Sequence, residues 1–203
     1  MTPGNPDVRV CPQCRKLVAQ ATLNSGNTFG ATYWLDNKCE APMLPDYPDL
    51  GRCPHCGVLM RQSTSAEVKQ SGYNLPANAD WLQSPSEADW LESLHSGMWD
   101  GEEEEIEARL LAWHAANDPM RHSEGEPQFS EAALHNLRAL DALMATNDEP
   151  YFLVLRAEIA RETGDFDAAL QLLNGADAKF DALTTQIAAL ARAQNTCVKR
   201  RTF

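Results

Sequence analysis

Apolar residues recur at helical spacing throughout the second part of the chain. From residue 84 onward they return every three or four positions, as Leu134, Leu137 and Leu140 do, which is typical of one face of an amphipathic helix. Six helices are predicted, over residues 84–97, 102–117, 129–144, 150–163, 166–178 and 181–197. Because short turns separate them, we expect antiparallel helices packed side by side.

Two of these helix starts carry capping or charge signals. Ser84-Pro85-Ser86-Glu87 predicts a capping box in which Ser84 and Glu87 bond each other's backbone amides, with Pro85 at the first helical position. Glu102 to Glu105 fall in the first turn of the next helix, where carboxylates offset the positive end of the helix dipole. This acidic run therefore needs no metal ion to explain it.

The first part of the chain has a different pattern, rich in cysteine, proline, glycine and β-forming residues. Residues 28–35 alternate in a way that predicts a strand with aromatic side chains on both faces, and Asp36-Asn37 suits a turn after it. Residues 63–83 contain few apolar positions and several Ser, Asn and Gly, which is typical of a linker. The pattern therefore changes from β-type to helical between residues 62 and 84.

Four cysteines in this first part form two Cys-Pro-x-Cys pairs, Cys11 with Cys14 and Cys53 with Cys56. Each pair is a tight knuckle that points two thiolates at one ion, and two knuckles supply tetrahedral sulfur coordination. The sequence thus predicts a structural Zn²⁺ site and an α+β fold. We divide the chain into a zinc ribbon at 1–62, a linker at 63–83 and an all-α helical domain at 84–203.

The same cysteines leave other chemistries open. A redox dithiol fits poorly, because such a pair sits at a helix start in an α/β unit. The site also resembles a rubredoxin centre, with Leu44-Pro45-Asp46 before the second pair, which implies an iron electron carrier; Arg15 stands where rubredoxins have glycine. Three nearby side chains are expected to lie outside the ligand set: Cys39, Cys197 and His55, the last as an exposed spacer.

Residues 153–176 resemble a tetratricopeptide repeat. Small Ala157 and Ala169 suit close helix packing, Gly164 suits the turn, and Phe166 suits the gap between neighbouring helix pairs. A weaker copy begins at Phe129, offset by 37 residues from Phe166. The resemblance implies an antiparallel array that presents a concave surface to peptides or protein segments.

Residues 1–62 resemble the zinc ribbon at the N-terminus of bacterial proteins that carry helical repeats behind it. The resemblance rests on both knuckles together with Ser25-Gly26-Asn27-Thr28 and the proline-spaced segment from Pro42 to Pro48. It implies no biochemical activity.

The net charge of -12 is unevenly distributed. Residues 1–70 contain seven Lys/Arg and six Asp/Glu, whereas residues 71–203 contain ten and twenty-three. An acidic body repels phosphate backbones, so nucleic acid is a poor partner for the helical part, and a basic protein partner is favoured. No apolar run approaches a membrane span and the N-terminal residues lack signal-peptide character, so we expect a cytoplasmic protein without a membrane partner.

Catalytic motifs are missing from the sequence, which contains no phosphate loop, nucleophile elbow or paired metal-binding histidines on a helix. His114, Asp118 and His122 form only a weak pattern. Four tryptophans are expected to pack at the junction between the linker and the helices rather than to stack on nucleic-acid bases. They are Trp81, Trp90, Trp99 and Trp113.

We therefore predict a non-enzymatic protein-binding adaptor, or an inhibitor or immunity-type protein. Two alternatives remain: an iron electron carrier, and a nucleic-acid-associated ribbon. The second would use six cations, Arg9, Arg15, Lys16, Lys38, Arg52 and Arg61.

Overall fold

The protein is described from a computed structural model, which covers residues 1–69, 72, 74–123 and 129–202. Small sheets come first and helices follow, so the predicted α+β fold is confirmed. Gln70, Ser71 and Tyr73 of the predicted linker lie outside the described residues.

The secondary structure of the described residues consists of ten short strands and six α-helices. The strands are β1 (Thr2–Pro3), β2 (Asp7–Val10), β3 (Leu17–Gln20), β4 (Leu23–Ser25), β5 (Thr32–Tyr33), β6 (Cys39–Glu40), β7 (Leu50–Arg52), β8 (Leu59–Arg61), β9 (Ala66–Glu67) and β10 (Ala79–Trp81). The helices are α1 (Glu87–His95), α2 (Gly101–Asn117), α3 (Glu131–Ala145), α4 (Pro150–Glu162), α5 (Phe166–Leu173) and α6 (Asp181–Arg192).

The chain forms two compact units. The cysteine-rich unit comprises Met1–Ala31 and Glu40–Met98, and the helical unit comprises Thr32–Cys39 and Trp99–Phe203. These ranges place α1 with the cysteines, and they place an eight-residue segment from the first part of the chain with the helices.

The cysteine-rich unit contains a four-stranded sheet in the order β10-β3-β2-β9, and β7 and β8 form a separate antiparallel pair. In the four-stranded sheet, β2 is antiparallel to β3 and β9, while β10 runs parallel to β3. The segment predicted as a linker therefore supplies both edge strands. Strands of two or three residues are too short to produce a detectable alternation of apolar and polar positions.

The N-cap of helix α1 lies two residues later than predicted. Ser86 is the N-cap residue, and its hydroxyl and the Asp89 carboxylate bond each other's backbone amides, so the capping box predicted for Ser84 and Glu87 is wrong in register. Asp89 and Glu92 both accept hydrogen bonds from the guanidinium of Arg52 at the end of β7. This pairing ties α1 to the residue that precedes Cys53.

Helices α2 to α6 all begin within two residues of their predicted starts, but α5 and α6 end at Leu173 and Arg192, five residues before their predicted ends. Consecutive helices from α2 to α6 contact one another, and α4 also contacts α6. Glu102, Glu103 and Glu104 occupy the first turn of α2, as predicted. Among the described residues, none of the helices combines the length and apolar character that crossing a bilayer requires.

The predicted strand over residues 28–35 is wrong for its first half. A turn closed by the bond from the Ala31 amide to the Thr28 carbonyl replaces it, and Gly30 has a φ of 75° there, which glycine adopts without strain. Only Thr32–Tyr33 form the strand β5. Beyond it, the segment Thr32–Cys39 reverses direction in a turn closed by the bond from the Trp34 amide to the Lys38 carbonyl, and we call this segment the hairpin. Leu35 is fully buried in a cluster with Val154, Leu183 and Ile187, so the hairpin contributes to the core of the helical unit.

The turn of this hairpin carries a buried charge. Asp36 is 0% exposed and accepts two hydrogen bonds from the guanidinium of Arg121, at 3.1 and 2.6 Å. The amide of Asn117 donates to the same carboxylate, and Nε2 of His114 lies 2.9 Å from the Asp36 carbonyl oxygen. Burial disfavours the charged carboxylate, but the bonds from Arg121 outweigh it and lower the pKa of Asp36.

Glu162 extends this network into α4. Its Oε2 atom accepts from Trp113 Nε1 at 2.8 Å and from the Asn117 amide at 3.0 Å, while Glu158 forms a bidentate pair with Arg161. Burial, together with the charges of Glu158 and Asp36, raises the pKa of Glu162 well above its usual value. The unit therefore buries several polar groups that only pairing makes tolerable.

We expect Asp36→Ala to destabilise the helical unit by about 3–5 kcal/mol, because it leaves the Arg121 guanidinium buried without its carboxylate. The free energy of unfolding is measured by helical circular dichroism in denaturant. Because the pKa of Asp36 is lowered in the folded state, its contribution is present above the unfolded-state pKa. The difference between wild type and variant should therefore shrink as the pH falls through the folded-state pKa.

The control is Asp148→Ala, which removes an exposed carboxylate from the helical unit and should change stability by no more than about 0.5 kcal/mol. Equal stabilities for the two variants would contradict a role for the hairpin in the core.

Candidate metal centre

The four cysteines of the two predicted knuckles meet in the cysteine-rich unit. Their sulfur atoms all lie within 4.8 Å of one another, with Sγ of Cys11 3.7 Å from that of Cys56 and Sγ of Cys14 3.8 Å from that of Cys53. A tetrahedral site with metal–sulfur bonds of about 2.3 Å separates its sulfurs by roughly 3.8 Å. The cluster is thus compatible with one metal ion, and such a four-sulfur site suits zinc or iron.

The two knuckles have the same backbone hydrogen bonds. In the first, the amide of Cys11 donates to the carbonyl of Lys16 at 2.9 Å, and the amide of Arg15 donates to the carbonyl of Cys11 at 3.0 Å. The second knuckle repeats both bonds, at 2.9 Å each, with Cys53, Gly57 and Val58. This correspondence makes the two pairs equivalent arms around one centre.

Each knuckle also ends on a residue with positive φ, at 64° for Arg15 and 75° for Gly57. Glycine adopts this conformation freely, whereas an arginine is strained in it. The first knuckle therefore keeps its positive φ although Arg15 disfavours it. This is the position where the rubredoxin resemblance expects glycine.

Backbone amides point at the sulfurs as they would at metal-bound thiolates. Burial opposes ionisation of Cys11, but hydrogen bonds from the backbone of Cys14 and Gln13 lower the pKa of its thiol to about 7. Burial raises the pKa of Cys53 to about 12. Since metal ligation requires thiolates, metal binding at this cluster should release protons.

Two of the four ligand candidates belong to the hydrophobic core of the unit. Cys11 and Cys53, 0% and 1% exposed, form one buried cluster with Val18 of β3 and Met60 of β8. The cluster therefore lies where the four-stranded sheet meets the β7–β8 pair, and a metal there would join these two sheets through four bonds.

The other cysteines lie outside this group, as predicted. Cys39 is exposed at the start of β6 and Cys197 is half-buried beyond the end of α6. In the described part of the chain, the four knuckle cysteines form the one group with metal-ligand geometry.

His55 is not the exposed spacer that the sequence predicts. Only 12% of its side chain is exposed, and its Nε2 atom lies 3.0 Å from the Leu17 carbonyl oxygen. Its Nδ1 atom lies 3.4 Å from the carboxylate of Asp80 on β10. Asp80 was not a sequence candidate, because a carboxylate in a three-residue strand carries no motif signal.

The side chains of the weak histidine pattern have structural partners in the helical unit. His114 bonds the Asp36 carbonyl, Asp118 bonds Arg121 and Lys38, and the His122 ring packs edge-on against Trp34 at 5.8 Å.

Three comparisons with known proteins, a scan against protein-family models and searches of curated proteins and of solved structures, found no match.

Removal of the metal, by a chelator or by Cys11→Ser, should unfold the cysteine-rich unit, because Cys11 and Cys53 form part of its core. The signal of helices α2 to α6 should remain in the circular dichroism spectrum. Metal content per chain is measured by mass spectrometry, with Cys39→Ser as the matched control that keeps both metal and fold. Loss of the whole helical signal would show that the two units do not fold independently.

Substitution at the two equivalent knuckle positions should act in opposite directions. Gly57→Ala should cost about 1–2 kcal/mol through backbone strain, since no atom lies within 4 Å of the added methyl group. Arg15→Gly should leave stability unchanged or raise it by up to about 1 kcal/mol. Thermal unfolding of the metal-loaded protein measures both; a cost for Arg15→Gly equal to that of Gly57→Ala would assign importance to the arginine side chain instead.

Proposed function

We propose that this protein is a non-catalytic, zinc-binding adaptor that holds a segment of a basic protein partner in a groove of the helical unit. The observation that carries the proposal is a concave groove of about 780 Å³ formed by α3, α4 and α5. A metal with a structural role and a binding groove on helices are the two parts of this function.

The zinc part of the proposal rests on the ligand set. Four cysteines in tetrahedral arrangement are one of the usual ligand sets of structural zinc. Four thiolates also leave no open coordination position for water or substrate, so this metal would stabilise the unit without catalysing hydrolysis.

The groove has the composition of a peptide-binding surface. Half-buried Leu134, Leu153 and Leu172 provide apolar contact area from three successive helices. Arg138 is exposed on its edge with no ion pair among the described residues, and Arg156 pairs with Asp141 at 2.9 Å. An apolar floor with a polar rim suits a segment that presents apolar anchors and polar flanks.

The packing of α4 against α5 supports the tetratricopeptide-like interpretation. Ala157 and Ala169 are both 0% exposed, which fits two helices in close approach, and Gly164 has a φ of 86° in the turn between them. In such arrays, neighbouring helix pairs form one continuous concave surface.

Electrostatics favours a basic partner. Residues 71–203 contain twenty-three acidic and ten basic side chains, and a surface of this sign steers cationic proteins by attraction over nanometre distances. The same property suits an inhibitor or immunity-type protein that covers a basic surface of its target.

A nucleic-acid role has less support. Four of the six cations that it requires are neutralised by carboxylates, since Arg9 pairs with Asp7, Arg61 with Asp49, Lys38 with Asp118, and Arg52 with Asp89 and Glu92. Cations already paired release few counterions on binding a phosphate backbone.

The test is affinity capture from the native host with wild type and two groove variants, Leu134→Lys and Leu153→Lys, each of which replaces apolar contact area by a cation that repels a basic segment. One basic protein should bind the wild type and be lost from both variants. Ala132→Lys is the matched control, because Ala132 is exposed on α3 and does not line the groove. Metal is measured on the same sample.

Capture of the same proteins by all four forms, or of none, would overturn the adaptor function. A visible iron–thiolate absorption in the native protein would favour the electron carrier instead.

A further inference from the structure

Large apolar side chains are unevenly exposed between the two units. In the described part of the chain, the most exposed ones all belong to the cysteine-rich unit, namely Met1, Phe29, Met43, Leu44, Tyr47 and Trp81. Two of them, Tyr47 at 39% and Trp81 at 50% exposed, line the same groove of about 200 Å³. We call it the aromatic groove.

The aromatic groove is lined mainly by three segments of the cysteine-rich unit. They are residues 19–21, 46–48 and 81–84, and buried Leu50 also lines it. Its volume is that of a site for one or two small side chains rather than for a folded element.

The segments 46–48 and 81–84 are both held by hydrogen bonds to neighbouring residues. The side-chain amide of Gln20 donates to the Pro48 carbonyl at 2.6 Å, and the amides of Arg52 and Gln83 donate to each other's carbonyls at 3.0 and 3.1 Å. Gly51 permits the second contact, because a methyl group there would lie 2.3 Å from the Leu82 side chain. The groove is therefore preformed, so a ligand would not have to order its walls.

Tyr47 and Trp81 each offer an exposed aromatic ring and a hydrogen-bond donor. Neither the Tyr47 hydroxyl nor Trp81 Nε1 has a hydrogen-bond partner among the described residues. Aromatic rings that flank a groove and retain a free N–H or O–H are what proline-rich ligands use, because proline rings pack on the aromatics and the ligand's exposed carbonyls accept from the donors.

The charge around the groove selects among ligands that bind aromatic rings. Asp46 is exposed on its rim and makes no ion pair in the described part of the chain, and no Lys or Arg lines the groove. Stacked nucleobases would bring phosphates next to this carboxylate without a cation to offset them. A peptide with Arg or Lys beside its prolines would instead pair with Asp46.

We propose that the aromatic groove binds a proline-rich, basic segment of a protein partner in the polyproline II conformation. Proline rings pack on Tyr47 and Trp81, and a basic side chain of the ligand pairs with Asp46. We call the groove formed by α3, α4 and α5 the helical groove. The aromatic groove shares no lining residue with it, and binding in one does not depend on the other.

The experiment uses the full-length, metal-loaded protein and an array of synthetic decapeptides with a Pro-x-x-Pro core and one flanking Arg. Matched arrays replace the prolines by Ala or the Arg by Glu. Wild type should bind members of the first array, and the affinity for those peptides should fall at least about tenfold in Tyr47→Ala and in Trp81→Ala. Asp46→Asn should remove the preference for Arg over Glu.

Phe29→Ala is the control, because Phe29 is 85% exposed and does not line the groove. Metal content and circular dichroism confirm that each variant is folded. The proposal is overturned if no array peptide distinguishes wild type from Trp81→Ala, or if Ala-substituted peptides bind as well as proline-containing ones. Binding of single-stranded oligothymidylate that depends on the same two aromatics would assign the groove to nucleic acid instead. The Leu153→Lys variant of the helical groove should bind the peptides normally, which distinguishes this result from binding in that groove.

Discussion

Cys11 and Cys53 are at once candidate metal ligands and core residues, and the cysteine-rich unit depends on both properties. Its strands are two to four residues long, and sheets this small bury little apolar surface. Each knuckle joins two strands, since Cys11 and Cys14 lie between β2 and β3, and Cys53 and Cys56 lie between β7 and β8. A metal held by both knuckles would join the four-stranded sheet to the β7–β8 pair by coordinate bonds, where hydrophobic burial alone is weak.

The helical unit obtains its cohesion in a different way. Its helices bury continuous apolar faces, and it can therefore include a group of charged and polar side chains that a smaller core would not tolerate. The bidentate pair of Asp36 and Arg121 lies at the centre of that group. A buried ion pair contributes little net free energy, but each partner is costly without the other, so the pair specifies where the hairpin turn must lie.

The two grooves differ in what they can recognise. The helical groove offers length and several leucines, which suits a segment that spans helices α3 to α5. The aromatic groove is about a quarter of that volume and offers two rings, two hydrogen-bond donors and one carboxylate, which suits a short ligand with little conformational entropy to lose. Neither surface requires the metal to take part in chemistry.

The sequence by itself determined the helices of the helical unit and the candidate ligand set. A period of three to four residues predicts α2 to α6, with starts within two residues and with the ends of α5 and α6 five residues too late, and two Cys-Pro-x-Cys pairs name the four sulfurs, because both signals are local. Only the tertiary structure decided which surroundings each side chain receives. Asp36 is buried against Asn117 of α2 and Arg121, both more than eighty residues away. Trp81 is half exposed although its sequence suggests packing, as for the buried Trp90 and Trp113. Burial results from contacts between residues that are distant in the chain, and the local pattern of apolar and polar positions does not contain information about those contacts.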